Sequence, residues 1–321
     1  MKYLLFIATK LVARLLITLL FATLLTSREA KACASCGCSL NSDWESQGYS
    51  IETGLKLDII YNYINQNQLR HGTDKVSASS VPLGQELETS TRSNYETLGL
   101  DYVFNADWSV SLLLPYVIRD HTTLGPDHVS YDTSGTSSLG DVRLVGRYQG
   151  FFDSHHFGVE LGVKLPTGAF TDTFRSGAAL DRGLQPGSGT TDLIAGLYYF
   201  DKLSAHWGYF AEALVQTALD SRREYRSATF ENVTLGVRYT GIDRITPQFQ
   251  LNGKFAGRDT GAQADNLNSG GTLLYLSPGV TFEATKNVAV FAFFQVPVYQ
   301  NVNGYQLAPK WTLSVGMRAS F

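Results

Sequence analysis

From Ile51 to Phe321, apolar and polar positions alternate with period two rather than 3.6. In "WSVSLLLPYVI", Trp108, Val110, Leu112, Leu114, Tyr116 and Ile118 share one face. In "FGVELGVKL", Phe157, Val159, Leu161, Val163 and Leu165 oppose Gly158, Glu160, Gly162 and Lys164. "GDVRLVGRYQ" likewise sets Val142, Leu144, Gly146 and Tyr148 against Asp141, Arg143, Val145, Arg147 and Gln149. Such segments recur near 50–65, 92–105, 108–119, 139–150, 155–167, 190–201, 206–219, 228–240, 245–257, 271–283, 288–300 and 309–321. Their connections alternate between tight turns such as "NAD", "DKLSA", "GIDR" and "ATKN" and long stretches at 66–91, 120–138, 168–189, 221–227, 258–270 and 301–308. An even set of alternating segments, with tight turns at one end and long polar loops at the other, predicts an all-β transmembrane antiparallel up-and-down β-barrel. About twelve strands are expected over 49–321, with short periplasmic turns and long extracellular loops. Each segment reaches the roughly 9–11 residues that a tilted bilayer crossing needs, and closure removes the sheet edges that lipid cannot hydrogen-bond.

The end of the chain sharpens this. "WTLSVGMRASF" places Trp311, Leu313, Val315, Met317 and Ala319 at alternate positions behind a terminal Phe321. It resembles the signal by which barrel-assembly machinery recognises its clients, so that machinery and outer-membrane lipid are the expected partners, the former through Phe321. Aromatics collect at strand ends (Tyr61, Tyr102, Trp108, Tyr116, Trp207 and Tyr299 among them), as interface girdles should. A soluble periplasmic β-sandwich would place its aromatics centrally and carry fewer charges on its second face. Pro115, Pro166 and Pro297 fall near the long-loop ends of three strands. Without an N–H they predict bulges or strand endings at the outer rim.

The first 32 residues have another character. Lys2, Lys10 and Arg14 precede the 11-residue apolar run Leu15–Leu25, and Ala30-Lys31-Ala32 follows. Basic region, short apolar run and A-x-A site predict a signal peptide over 1–32, since a spanning helix needs about 20 apolar residues. A Cys-rich periplasmic tail is expected at 33–48. It holds all 3 cysteines, Cys33, Cys36 and Cys38. Three readings stay open for them: a soft-metal or redox contact, a disulfide, or a lipid anchor on Cys33. Thiolates suit Cu(I) or Zn(II), and His155, His156 and His206 on the short turns are placed to complete such a site. No C-x-x-C-H occurs, which removes covalent haem by pattern. No other cofactor is expected.

Charged residues make up 17% of the chain, below the roughly 25% of soluble domains. A net charge of −3 gives no footprint for nucleic acid. By strand parity the lumen receives Lys56, Asp58, Asp101, Asp141, Arg143, Arg147, Glu160, Lys164, Asp192, Glu212, Arg238, Lys254, Glu283 and Arg318. Charges at membrane depth must face water, protein or a partner charge. They form either a structural salt-bridge network filling a narrow barrel or the lining of a pore. Both signs are nearly balanced, so strong ion selectivity is not implied. The 6 histidines are expected in loops and turns, and no Ser–His–Asp grouping, P-loop or G-x-G-x-x-G pattern stands out. The chain is not expected to be an enzyme.

Three blocks, "LGDVRLVGRYQ" (139–149), "LGVKLPTGAF" (161–170) and "LQPGSGTTDLIAGLYYF" (184–200), resemble in order and spacing the outer-membrane transporter-like barrels named for the MetA pathway of phenol degradation. The resemblance runs from about Tyr95 to the C-terminus. It implies a β-barrel that moves small, often aromatic compounds, with no catalytic residues to carry over. Two functions of different class follow: a channel or transporter for small molecules, or a scaffold barrel whose cysteine-bearing tail binds metal or docks a periplasmic redox partner.

Overall fold

The computed structural model describes residues 52–321. The proposed signal peptide and Cys33, Cys36 and Cys38 lie outside the described residues. The strands are β1 (Gly54–Gly72), β2 (Asp74–Lys75), β3 (Leu87–Val103), β4 (Trp108–Leu124), β5 (Tyr131–Leu139), β6 (Val142–Tyr148), β7 (Phe157–Leu165), β8 (Asp192–Lys202), β9 (Trp207–Ala218), β10 (Phe230–Tyr239), β11 (Ile245–Ala256), β12 (Gly271–Glu283) and β13 (Val288–Ser320). Each barrel strand pairs antiparallel with the next, and β13 pairs back onto β1 to close the ring. Eleven strands close the barrel, while β2 and β5 lie off its path.

An odd ring cannot be antiparallel throughout, and β13 resolves this. Its first part runs beside β12 (Phe291↔Thr281, Val302↔Gly271) and its second beside β1 (Ser314↔Asn62, Ser320↔Lys56). The 33-residue strand therefore doubles back near Gly304, whose φ is +55°, and contributes two staves. Twelve staves stand around the ring, as the alternation predicts. The stretch 301–308, expected as a loop, is the continuous bend of β13.

Lipid-facing and lumen-facing positions obey the expected parity. On β1, Lys56, Asp58, Ile60, Asn62, Ile64 and Gln66 are buried inside, while Leu55, Ile59 and Tyr61 are exposed outside. So many large exposed apolar side chains would be a liability in water and are what a bilayer requires. Aromatic contacts gather at the short-turn end. Trp108 lies 4.6 Å from Tyr148, Tyr148 4.8 Å from Phe151, and Trp207 5.0 Å from Tyr239.

Two prolines mark breaks in the ladder. A bulge falls where Leu274 pairs with Tyr299 but Tyr275 pairs with Pro297. Pro115 sits where β4 changes partner, from β6 (through Leu113↔Arg143) to β5 (from Tyr116↔Leu139). Pro166 ends β7, and the chain then leaves the wall for the interior. In consequence β5 pairs, among the described residues, with β4 alone, and its other edge is met by the 166–191 loop through Arg175 N–H donating to Thr133 O (2.8 Å). The sequence pattern placed all of 120–138 in a loop. Instead β4 runs on to Leu124 and pairs there with β5, which carries polar residues on both faces. The extension of β4 puts His121 on a strand rather than in a loop, and the length of β1 does the same for His71. Glu283, assigned to the lumen by parity, is exposed where β12 ends.

Candidate functional site

The three sequence blocks meet in space. Asp141, just after β5, accepts from Gly168 N–H (3.1 Å) on one oxygen. Its other oxygen accepts from Ser188 N–H (2.9 Å), Ser188 Oγ–H (2.9 Å) and Lys164 Nζ (2.7 Å). Lys164 also donates to Thr190 O (2.8 Å) and stands 3.3 Å from Asp192. Asp192 in turn accepts from Thr190 Oγ1 (2.7 Å) and Gln216 Nε2 (2.6 Å). Backbones must nearly touch for this. A Cβ on Gly187 would lie 2.6 Å from Asp141 Oδ1 and 2.7 Å from the Gly168 Cα. Charge-assisted bonds of this kind are about twice as strong as neutral ones, so both ends of the 166–191 loop are fixed at the wall.

Between those ends the loop crosses the lumen. Phe174, Leu180 and Leu184 make a small apolar core of their own. Arg119, buried on β4, donates from Nη1 to Gly183 O (3.1 Å), from Nε to Ser93 Oγ (2.9 Å) and to the Tyr95 hydroxyl. The Arg182 guanidinium lies between two rings, 4.8 Å from Phe170 and 4.5 Å from Tyr225, and donates to Arg222 O and Ser188 O.

This crossing divides the upper lumen into two cavities that share Arg182, Gly183, Tyr225 and Asp259. The outer one, about 270 Å³, faces the long loops and is acidic: Glu86, Glu88, Asp181, Asp259 and Asp265 all line it. Burial and the neighbouring carboxylates push the Asp181 carboxyl up to about 7, and burial raises Asp259. His121, 1% exposed, bonds Thr91 Oγ1 through Nδ1 (2.8 Å) and points Nε2 toward Glu86 at 3.9 Å. The inner chamber, about 180 Å³, has the opposite balance. Arg119, Arg143, Lys164, Arg182 and Lys254 line it against Asp141, Asp192 and Asp259.

Below the chamber the lumen is packed. Arg147 pairs with Glu160 (2.9 Å) and Asp101 (3.5 Å), and also donates to Ser111. Asp58 pairs with Arg318 at 3.2 Å, and Lys56 is 4% exposed. Tyr198, Phe210, Phe291 and Phe293 are buried at this end, with the Tyr198 hydroxyl donating to Gln149 (2.9 Å). Glu212 and Arg238 are half-buried, and Lys254 lies 5.2 Å above the Phe230 ring. Parity thus placed these side chains inside, and most belong to paired networks. The carboxylates of the outer cavity were missed because several come from loops, where no alternation marks direction.

At the short-turn rim, His155 bonds Asp107 (2.8 Å) and His156 lies 3.3 Å from Asp201. Among the described residues no group of three or more His, Cys, Asp or Glu is arranged to hold a metal ion.

A closed antiparallel ring with an apolar exterior, short turns at one end and a lumen partitioned by an inward loop defines an outer-membrane-type β-barrel. The COG4313 outer membrane channel from Pseudomonas putida F1 has a similar structure, with a TM-score of 0.66 at 13% identity over 88% of this chain and 100% of that one. The β domain of the Bordetella autotransporter BrkA is also similar, with a TM-score of 0.50 at 14% identity over 84% of this chain and 100% of that one. At such identities the likeness is one of fold. No protein-family model and no curated relative matches the chain.

Proposed function

We propose that the chain is a non-enzymatic outer-membrane channel for small molecules, of the kind implied by its resemblance to the MetA-pathway barrels. The observation that carries this reading is the pair of cavities in series, separated only by the Arg182–Gly183 crossing. Open space in a barrel lumen has no packing role, whereas a solute path needs successive sites it can enter and leave. The inner chamber is small and partly apolar, which supports small aromatic or hydrophobic solutes over oligosaccharides. A conformational step at the crossing is part of the proposal, since the packed short-turn half leaves little free lumen.

That packed half favours the second reading, a sealed scaffold barrel docking a periplasmic partner through its cysteine-bearing tail. Planar-bilayer recording separates the two. Discrete single-channel steps from purified mature protein support the channel. A barrel that inserts and stays electrically silent, and that leaves liposomes impermeable to small solutes, overturns it.

A further inference from the structure

The charges of the lumen are balanced in sum but segregated along its axis. In the inner chamber five cations face three carboxylates. Each carboxylate is already consumed: Asp141 and Asp192 by the Lys164 junction, Asp259 by Ala228 N–H (2.8 Å) and the Tyr225 hydroxyl (3.1 Å). Arg119 and Arg182 hold the crossing in place through neutral oxygens, so their charge is not cancelled by an ion pair.

Arg143 differs from the others. It faces the lumen from β6, between Leu113 on one neighbouring strand and Lys164 on the other. Among the described residues its guanidinium makes no hydrogen bond and no ion pair, although it lines the chamber. This half-buried guanidinium stands beside a like-charged lysine, and the fold supplies it no acceptor. Five N–H donors in a planar fork match a carboxylate two bonds at a time.

One side of the wall is apolar, while Thr97, Gln185, Gln216 and Ser227 line other parts of it. Leu113, Pro115 and Val117 follow one another on the lumen side of β4, and Phe230, Ala228 and Ala256 complete the lining from the loop and strands beyond. A cavity of about 180 Å³ compares with the roughly 150 Å³ of an engineered apolar cavity that accepts benzene. It has room for one ring and one small substituent.

We propose that the inner chamber binds a small aromatic carboxylate, its carboxylate on Arg143 and its ring against the Leu113–Pro115–Val117 strip. As a waypoint in passage this rests on the channel reading, whereas binding itself rests on the chamber alone. Inorganic phosphate offers the same acceptor geometry but nothing for the apolar strip. A neutral ring of the same size fits the strip and leaves Arg143 without its acceptor. The acidic outer cavity does not close the route to an anion, because burial and like charges raise the Asp181 carboxyl to about 7, so that its charge is diminished toward neutrality.

The test is equilibrium dialysis of benzoate, benzyl alcohol, benzylammonium and inorganic phosphate against the detergent-solubilised native barrel, with planar-bilayer recording of the same preparation. Benzoate is expected to bind saturably and at least tenfold tighter than each of the others. Arg143→Gln should lose at least that tenfold advantage, and Arg143→Lys should recover part of it. A heat-modifiable gel shift establishes that each variant is folded, and the wild-type ranking stands even where a variant fails. Equal binding of all four compounds, preference for the ammonium, or undiminished benzoate binding by folded Arg143→Gln overturns the proposal. Benzoate binding by a barrel without conductance leaves the site standing and removes the channel. Conductance without benzoate binding does the reverse.

Discussion

Lys164 Nζ stands 2.7 Å from Asp141 Oδ2, both side chains nearly inaccessible, and this pair joins the ends of two of the three blocks that carry the family resemblance. Removing one member leaves a buried charge whose partner is gone, a loss of about 3–5 kcal/mol in buried pairs. Asp192 still faces Lys164 at 3.3 Å, so Asp141→Ala should fall near 3 kcal/mol in urea unfolding followed by tryptophan fluorescence. It should also free the 166–191 loop, raising single-channel conductance and protease cleavage within that loop.

Gly187→Ala asks the same junction a steric question. The added methyl meets Asp141 Oδ1 and the Gly168 backbone at 2.6–2.7 Å, and backbone cannot move aside as a flexible side chain can. Overpacking of this sort costs about 1–3 kcal/mol. Greater proteolysis of the 166–191 loop with an intact, SDS-resistant barrel is the expected result. Wild-type protection of the loop would show that the junction is looser than its geometry implies.

Protonation should tune the crossing. Asp181 has an ordinary value of 3.8 and is raised to about 7 in the packed loop, so the folded loop binds a proton more tightly than the released loop. Its contribution is fully present below about pH 4 and is lost as pH rises through 7. Glu86, Glu88 and Asp265 face it with like charge and His121 with opposite charge, so ionising Asp181 adds a negative charge to a largely acidic surrounding. Hydrogen exchange of residues 178–186 should quicken from pH 5 to pH 8 beyond its intrinsic base-catalysed rise. Asp181→Asn should flatten that excess.

Phe321 is 74% exposed, and its backbone N–H donates to Leu55 O at 2.9 Å. The side chain adds little to the folded barrel, so an effect of its loss should appear in assembly rather than stability. Phe321→Ser is expected to lower the amount reaching the outer membrane severalfold while leaving detergent-refolded protein as heat-resistant as wild type. Normal membrane levels would overturn the proposal that it serves as a recognition signal.

The alternation made the staves legible because lipid imposes one requirement on every outward position. Val142, Leu144 and Tyr148 are apolar for that reason, and parity then fixes Arg143 and Arg147 inside. Where the chain rises above the bilayer the requirement lapses. "YDTSGTSSL" on β5 carries polar residues on both faces, so no pattern betrayed it. The fold-back of β13 was hidden differently: its two legs were readable, but a hairpin bend that keeps extended geometry looks like a loop in sequence. Parity also placed Arg143 without revealing that it lacks a partner, since pairing depends on where the 166–191 loop carries Asp141, Ser188 and Asp192. The acidic outer cavity was illegible for a related reason, because Asp181, Asp259 and Asp265 come from irregular segments.

The seam between β1 and β13 governs the order of events when the molecule forms. Ser314 bonds Asn62 at a sequence separation of 252, whereas β3 and β4 meet across a turn of a few residues. Loop closure grows only as the logarithm of length, about 0.6 kcal/mol per doubling, so the long seam is thermodynamically affordable. Kinetically it is the step with the greatest sequence separation, and rates fall as such separation rises. The first strand must therefore wait for the last with one edge unpaired. A nascent chain cannot complete its ring until the second leg of β13 has been delivered, and until then one edge of β1 stays open to a stray strand.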